Sequence, residues 1–165
     1  MSPPDIRIGH GFDVHRLGAA RPLVLAGVEI PSRSGGLEGH SDADVVAHAV
    51  ASALLGSLAL GDLGTHFPDT DARYAGASSL LLLQRVVAMV QGRGYEPINV
   101  DCTVVAQQPR LAAFVPEMRA NLANALGVSI ERVSIKATTA ERLGSLGRRE
   151  GIAAHAVLLV AAKSM

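Results

Sequence analysis

The sequence predicts an α/β (α+β) layer fold, a mixed β-sheet packed on helices, in one domain spanning residues 1–165. Three observations carry this expectation. Short apolar runs of strand character alternate with longer stretches of helical periodicity. No internal repeat or linker divides the chain. Its 165 residues also fall within the roughly 100–200 usual for a single domain.

Ile6–His15 alternates and reads as a strand, followed by a turn at Leu17–Pro22. Leu23–Ile30 reads as a second strand and Pro31–Gly39 as a Ser/Gly loop. Ser41 is the expected N-cap of a helix running to about Leu60, with Asp42 and Asp44 in its first turn, where acids suit the positive helix end, and Gly61 as its stop. Asp62–Gly76 reads as a loop containing Phe67–Asp71. Ser78–Arg93 forms a second apolar-faced helix, ended by Gly92 and Gly94. Asn99–Gln107 returns to strand, with Val100, Cys102 and Val104 on one face, so Cys102 reads as a core residue. Leu111–Leu126 is a third helix whose true start lies near Pro116 and whose end precedes Gly127. Val133–Thr138 and Ile152–Lys163 complete the strands.

Composition narrows the function. Lys and Arg number 15, as do Asp and Glu, so the formal net charge is zero. Aromatic residues make up 3%, with no Trp, which leaves little for base stacking. Together these argue against nucleic-acid and anionic-membrane partners. Charged residues are 18% of the chain, below the roughly 25% of an average one, which suggests that other copies cover much of the surface. The longest uncharged stretches, Ala49–Gly61 and Gly151–Ala162, are shorter than the roughly 18 residues of a membrane span. A lone cysteine and an N-terminus with no apolar signal core make the cytoplasm the expected location. The zero net charge hides an asymmetry. Residues 1–71 carry nine acids against four arginines, and residues 72–165 carry six acids against eleven basic residues.

Four of the six histidines lie in the first 48 residues. On a strand Asp13 and His15 share one face, while His10 and Phe12 point away. With His48 from the following helix they make an Asp-His-His set, three protein ligands that leave a fourth zinc position open. The spacing alone equally admits a surface ion pair beside a core histidine. Asp44, one turn before His48, either holds the imidazole's second nitrogen or stabilises the helix start. In Lys136–Arg142, Thr138, Thr139 and Glu141 offer hydroxyls to phosphate and a carboxylate to a hard divalent ion, although a Thr-rich strand end is the simpler reading.

Together these blocks resemble the 2-C-methyl-D-erythritol 2,4-cyclodiphosphate synthase family of the non-mevalonate isoprenoid pathway. The resemblance runs through Arg7–His15, Gly39–Val45, His48-Ala49, Ala53–Gly56, Leu60–Gly64, His66–Asp71, Asn99–Asp101, Ala106-Gln107, Lys136–Thr139, Gly147-Arg148 and Glu150-Gly151. It implies a homotrimer with active sites between neighbours, zinc on Asp13, His15 and His48, and a second ion, magnesium or manganese, on Glu141. His40 and Thr139 correspond to residues that stabilise the transition state. Substrate contacts carry over to Asp13, His15, Ser41, Asp62, Leu63 and Gly64, and to Phe67, Pro68, Asp69, Thr70 and Asp71. Ala106, Gln107, Gln108, Pro109, Arg110, Leu111 and Ala112 correspond to a cytidine pocket. Thr138, Thr139, Ala140 and Glu141 correspond to a diphosphate-binding segment. Ser145 and Arg148, with Glu150, match a region where some members hold an isoprenoid diphosphate on the trimer axis. The reaction implied converts 4-diphosphocytidyl-2-C-methyl-D-erythritol 2-phosphate to the cyclic diphosphate with release of CMP.

The chain departs from the family pattern at several points. Ser52 stands for Asp, at a position expected to tolerate either. Ala43 stands for Gly at an expected helix start, and Ala140 for Thr. Ser145 replaces an aromatic, and Arg149 replaces Gly. Arg149 is expected either to strengthen isoprenoid diphosphate binding at that axis or to pair with Glu150 of a neighbour. Competing expectations are a zinc phosphohydrolase, distinguished by open rather than cyclic phosphate products, and a non-catalytic metal-stabilised trimer that binds a nucleotide or isoprenoid diphosphate.

Overall fold

The computed structural model describes residues 5–163. Strand β1 (Ile6–Ala19) outruns its expected end at His15 because its far end pairs with the short β4 (Gly36–Leu37). The segment expected as one strand is a hairpin of β2 (Leu23–Leu25) and β3 (Val28–Ile30). Ala26 and Gly27 both take left-handed φ, 47° and 72°, the two-residue turn that reverses a strand pair.

Helix α1 (Val45–Ser57) is capped by Asp44, not by Ser41. The cause is Ala43, which has a left-handed φ of 57° and holds residues 41–43 outside the helix. Ala43 therefore occupies a backbone conformation that favours glycine, not the helix start expected of it. The helix also ends short of Leu60, since Ala59, at φ 55°, supplies the left-handed turn expected of Gly61. The following loop contains α2 (Leu63–His66) and a 3₁₀ turn at Ala72–Tyr74. Then come α3 (Ser79–Gly92), β5 (Tyr95–Val105), α4 (Val115–Leu126), a 3₁₀ turn at Ile130–Arg132, β6 (Val133–Thr138), α5 (Gly144–Gly147) and β7 (Gly151–Ala162). Pro116 lies in the first turn of α4, and Gly127, at φ 70°, closes it as the sequence predicts. Strand β5 starts before the expected Asn99 because Tyr95–Pro97 pair with β7.

The main sheet has the order β4-β1-β7-β5-β6. It is mixed: β5 and β6 are parallel and the other neighbours antiparallel. Helix α4 provides the crossover that a parallel pair needs. Helices α1, α3 and α4 pack beside one another on one face of the sheet. Cys102 is buried in that core, where desolvation pushes its thiol up to about 12. The opposite face is open: Ile8 is 67% and Phe12 50% exposed, beside exposed Ile6, Val14 and Val157. Among the described residues no helix is long and apolar enough to cross a membrane.

The contact of α1 with β1 has little tolerance. A Cβ at Gly9 would lie 1.8 Å from the Ala53 carbonyl oxygen, and one at Gly11 1.9 Å from that of Ala49. The helix backbone therefore rests directly on the strand backbone at two successive inward positions. Gly11→Ala is expected to lower the unfolding free energy by ~2 kcal/mol or more, since a packed interior resists added volume. Denaturant unfolding measures it, and a loss below ~0.5 kcal/mol would contradict the close packing.

Candidate metal centre and active-site cavity

Alternation along β1 turns Gly9, Gly11, Asp13 and His15 toward α1, and the two glycines let the helix settle there. His48, in the first turns of α1, then meets the acidic end of that row. Its Nδ1 lies 3.0 Å from Asp13 Oδ2, and His15 Nε2 lies 3.2 Å from the same oxygen. Each residue offers a ligand atom, and all three atoms fall within 4.8 Å of one another. In a tetrahedral zinc site with bonds near 2.0 Å, ligand atoms stand about 3.3 Å apart, so the donor set fits such an ion in type and spacing. Burial works to raise the Asp13 carboxyl's pKa, but hydrogen bonds from His15 and His48 outweigh it and hold it well below the usual carboxylate range. The same bond to Asp13 raises His15.

The far nitrogen of His48 does not use Asp44. That carboxylate is fully buried and accepts from Val46 and Ala47 at the helix start and from Ala26 and Gly27 in the hairpin turn, at 2.8–3.1 Å. It thus ties α1 to the β2–β3 hairpin, and its only link to His48 is the ordinary helical bond from His48 N–H to its carbonyl. The imidazole Nε2 instead faces Ser79 Oγ at 2.8 Å and Ser41 Oγ at 3.2 Å. Ser79 donates its hydroxyl to Asp42, whose other oxygen accepts from Ser79 N–H at 3.0 Å. When His48 ligates through Nδ1, its Nε2–H donates to Ser79 and Ser79 donates to Asp42, so every proton in the series has an acceptor. Neither Ser79 nor the Asp42 contact was legible in the sequence, because the partners lie more than thirty positions apart.

Arg21 is a second positioning residue absent from the sequence reading. Its guanidinium donates to the carbonyls of Leu37 and Gly39 at 2.7 Å each and to that of Ser41. It thereby fixes the segment that carries His40 and Ser41. Ser41, expected to touch substrate, turns its hydroxyl inward to His48, Ser79 and Ala43 N–H.

A cavity of about 450 Å³ opens over the cluster. Asp13, His15, His40, Ser41, His48, Asp62, Leu63, Gly64, Phe67 and Asp69 line it, with Gly39, Ser52, Tyr74 and Leu82. Ser52 therefore faces the metal cavity and not the core alone. Pro68, Thr70 and Asp71 do not line it. Asp71 caps the 3₁₀ turn and pairs with Arg73, which holds its carboxyl down at about 2. A second cavity of about 650 Å³ contains Ala106–Ala112, Thr138, Thr139 and Glu141, with Ala137, Arg142 and Arg149. Ala140 is not part of its lining. The two cavities share no residue, so one chain keeps His40 and Thr139 apart. Ser145 and Glu150 belong to a third recess of about 230 Å³, and Arg148 pairs with Glu150 at 2.6 Å.

Ser79→Ala is expected to weaken zinc binding about tenfold by releasing His48, as loss of a ligand's outer hydrogen bond does elsewhere. Competition against a chelating dye measures this, and affinity within twofold of wild type would show that Ser79 does not position the ligand.

Comparison with known proteins agrees with this geometry. The YgbB family model matches residues 6–161. The 2-C-methyl-D-erythritol 2,4-cyclodiphosphate synthase of Symbiobacterium thermophilum is 60% identical over 94% of this chain and 99% of its own. That of Geobacter metallireducens is 58% identical over 94% and 98%. Among solved structures, a CDP complex of IspF from Plasmodium falciparum superimposes with a TM-score of 0.84 at 30% identity, covering 99% of this chain and all of that one. The bifunctional IspDF of Campylobacter jejuni gives 0.94 at 42% identity, covering 98% of this chain and 44% of its own. The chain belongs to the YgbB family, the family of the 2-C-methyl-D-erythritol 2,4-cyclodiphosphate synthases.

Proposed function

We propose that the protein forms 2-C-methyl-D-erythritol 2,4-cyclodiphosphate from 4-diphosphocytidyl-2-C-methyl-D-erythritol 2-phosphate in the non-mevalonate isoprenoid pathway. The observation that carries this reading is the Asp13-His15-His48 cluster in a cavity that His40 also lines. An oxygen of the 2-phosphate attacks the β-phosphorus, the bond from that phosphorus to the α–β bridging oxygen breaks, and CMP leaves with that oxygen. Such a transfer needs placement and charge neutralisation more than a protein nucleophile, so no Ser-His-Asp or Cys-His pair is required of the cavity.

Asp13, His15 and His48 would hold zinc, and Glu141 magnesium or manganese; each ion would supply Lewis-acid neutralisation of phosphate charge. The chain's own residues do the rest. His40, on the segment clamped by Arg21, donates to the phosphoryl oxygens as charge shifts during transfer. Thr138 and Thr139 hold the diphosphate, and Ala106–Ala112 enclose the cytidine. Holding both ends of one substrate makes the attack intramolecular and removes several kcal/mol of entropic barrier.

The separation of the two cavities supports a homotrimer in which the Thr138–Glu141 segment of one chain completes the His40 cavity of its neighbour. The open apolar face at Ile8 and Phe12 supports the same assembly. The recess at Ser145 and Glu150, which includes Val14 from the edge of that face, is the proposed place for an isoprenoid diphosphate. A free, buried Cys102 agrees with a cytoplasmic location.

Incubation of the protein with the authentic substrate tests the proposal. CMP and the cyclic diphosphate are expected as products, lost on chelation and restored by zinc. Open phosphates in place of the cyclic product would establish a phosphohydrolase, and no CMP under any condition would leave a non-catalytic binding protein.

A further inference from the structure

The backbone of Arg149 holds a glycine-like conformation, with φ at +67°. Residues bearing a Cβ are strained there, and such strain often marks a functional constraint. The neighbouring residues on either side, Arg148 and Glu150, pair with each other at 2.6 Å. Glu150 also belongs with Ser145 to the third recess, whereas Arg149 lines the second cavity beside Ala106–Ala112, Thr138 and Thr139. Arg149 thus faces a different cavity from the Glu150 of its own chain, which Arg148 engages.

The cavity chemistry points to an anion. Arg110, Arg142 and Arg149 line it, and none of the three guanidinium groups forms an ion pair among the described residues. Glu141 is the single carboxylate in the lining, and it accepts from Thr139 Oγ1 at 2.7 Å. Three cations facing one acid, next to two threonine hydroxyls, suit a multiply charged phosphate ligand. The Arg149 N–H is spent on the Leu146 carbonyl at 3.0 Å, which leaves its side chain as the group free to bind.

We propose that Arg149 is a phosphate-binding residue of this cavity, making a guanidinium contact to the diphosphate of the bound cytidine nucleotide. The proposal rests on reading the cavity as the nucleotide site. Calorimetric titration of CDP, cytidine and inorganic pyrophosphate into the wild-type protein and Arg149→Gly tests it. Glycine relieves the left-handed strain, so the variant is expected to melt at the wild-type temperature or above, which separates lost binding from lost fold. CDP affinity should fall about tenfold while cytidine affinity stays unchanged, as removal of one charge-assisted contact predicts. CDP binding within twofold of wild type would overturn the proposal, as would equal losses for CDP and cytidine. A loss confined to pyrophosphate would assign Arg149 to a free-diphosphate site and overturn it too. Wild-type protein that binds neither CDP nor cytidine would instead sink the nucleotide reading of the cavity, and Arg149's role with it.

Discussion

The contact of two backbones at Gly9 and Gly11 is the constraint on which the rest of the site depends. With no side chain at either position, α1 lies against β1 and brings His48 Nδ1 to 3.0 Å from Asp13 Oδ2. One methyl group at either glycine would overlap a helix carbonyl oxygen. Protein interiors are dense enough that such an overlap moves the helix rather than vanishing into slack. The donor set of the candidate metal centre is thus a product of strand parity and helix height together.

Once α1 is seated, buried polar groups fix its orientation. Asp44 places a carboxylate in the core and satisfies it with four backbone N–H groups, two from the helix start and two from the hairpin turn. Burial pushes the Asp44 carboxyl's pKa up, a buried polar group is tolerable only with such partners, and here they join elements that share no strand pairing. Asp42 and Ser79 do the equivalent for His48, bridging from the segment before α1 to the first residue of α3. Arg21 binds three carbonyls of the segment leading to His40. Each is a residue that acts through another, so the cavity is shaped before any ligand arrives.

Much of this was legible in the sequence, for reasons that mark where such reading stops. Parity along β1 placed Asp13 and His15 together and made His48, on the following helix, a candidate third ligand, whose reach only the fold establishes. Cys102 was recognisable as core from its place between Val100 and Val104. The helix start was not legible: Ser41 has the chemistry of a cap, but Ala43 adopts a left-handed backbone and shifts the role to Asp44. The spacing of Asp44 to His48 suggested a hydrogen bond that tertiary demand redirects to the hairpin. Ser79 carried no local signal, since its meaning comes from two residues distant in the chain. The resemblance brought Thr139 and Glu141 into one list with His40, whereas a single chain holds them in separate cavities.

That separation gives the charge asymmetry a physical sense. The acid-rich half of the chain builds the metal cavity, and the base-rich half builds the cavity lined by Arg110, Arg142 and Arg149. In the proposed trimer, a neutral chain would present both signs to one phosphorylated substrate. The proposed centre at Asp13, His15 and His48 is the claim on which this account turns. Anomalous diffraction at the zinc edge from crystals soaked in zinc tests it most directly. The account predicts one ion per chain bound by an Asp13 oxygen, His15 Nε2 and His48 Nδ1; zinc found away from these three residues, or bound through His48 Nε2, would contradict it.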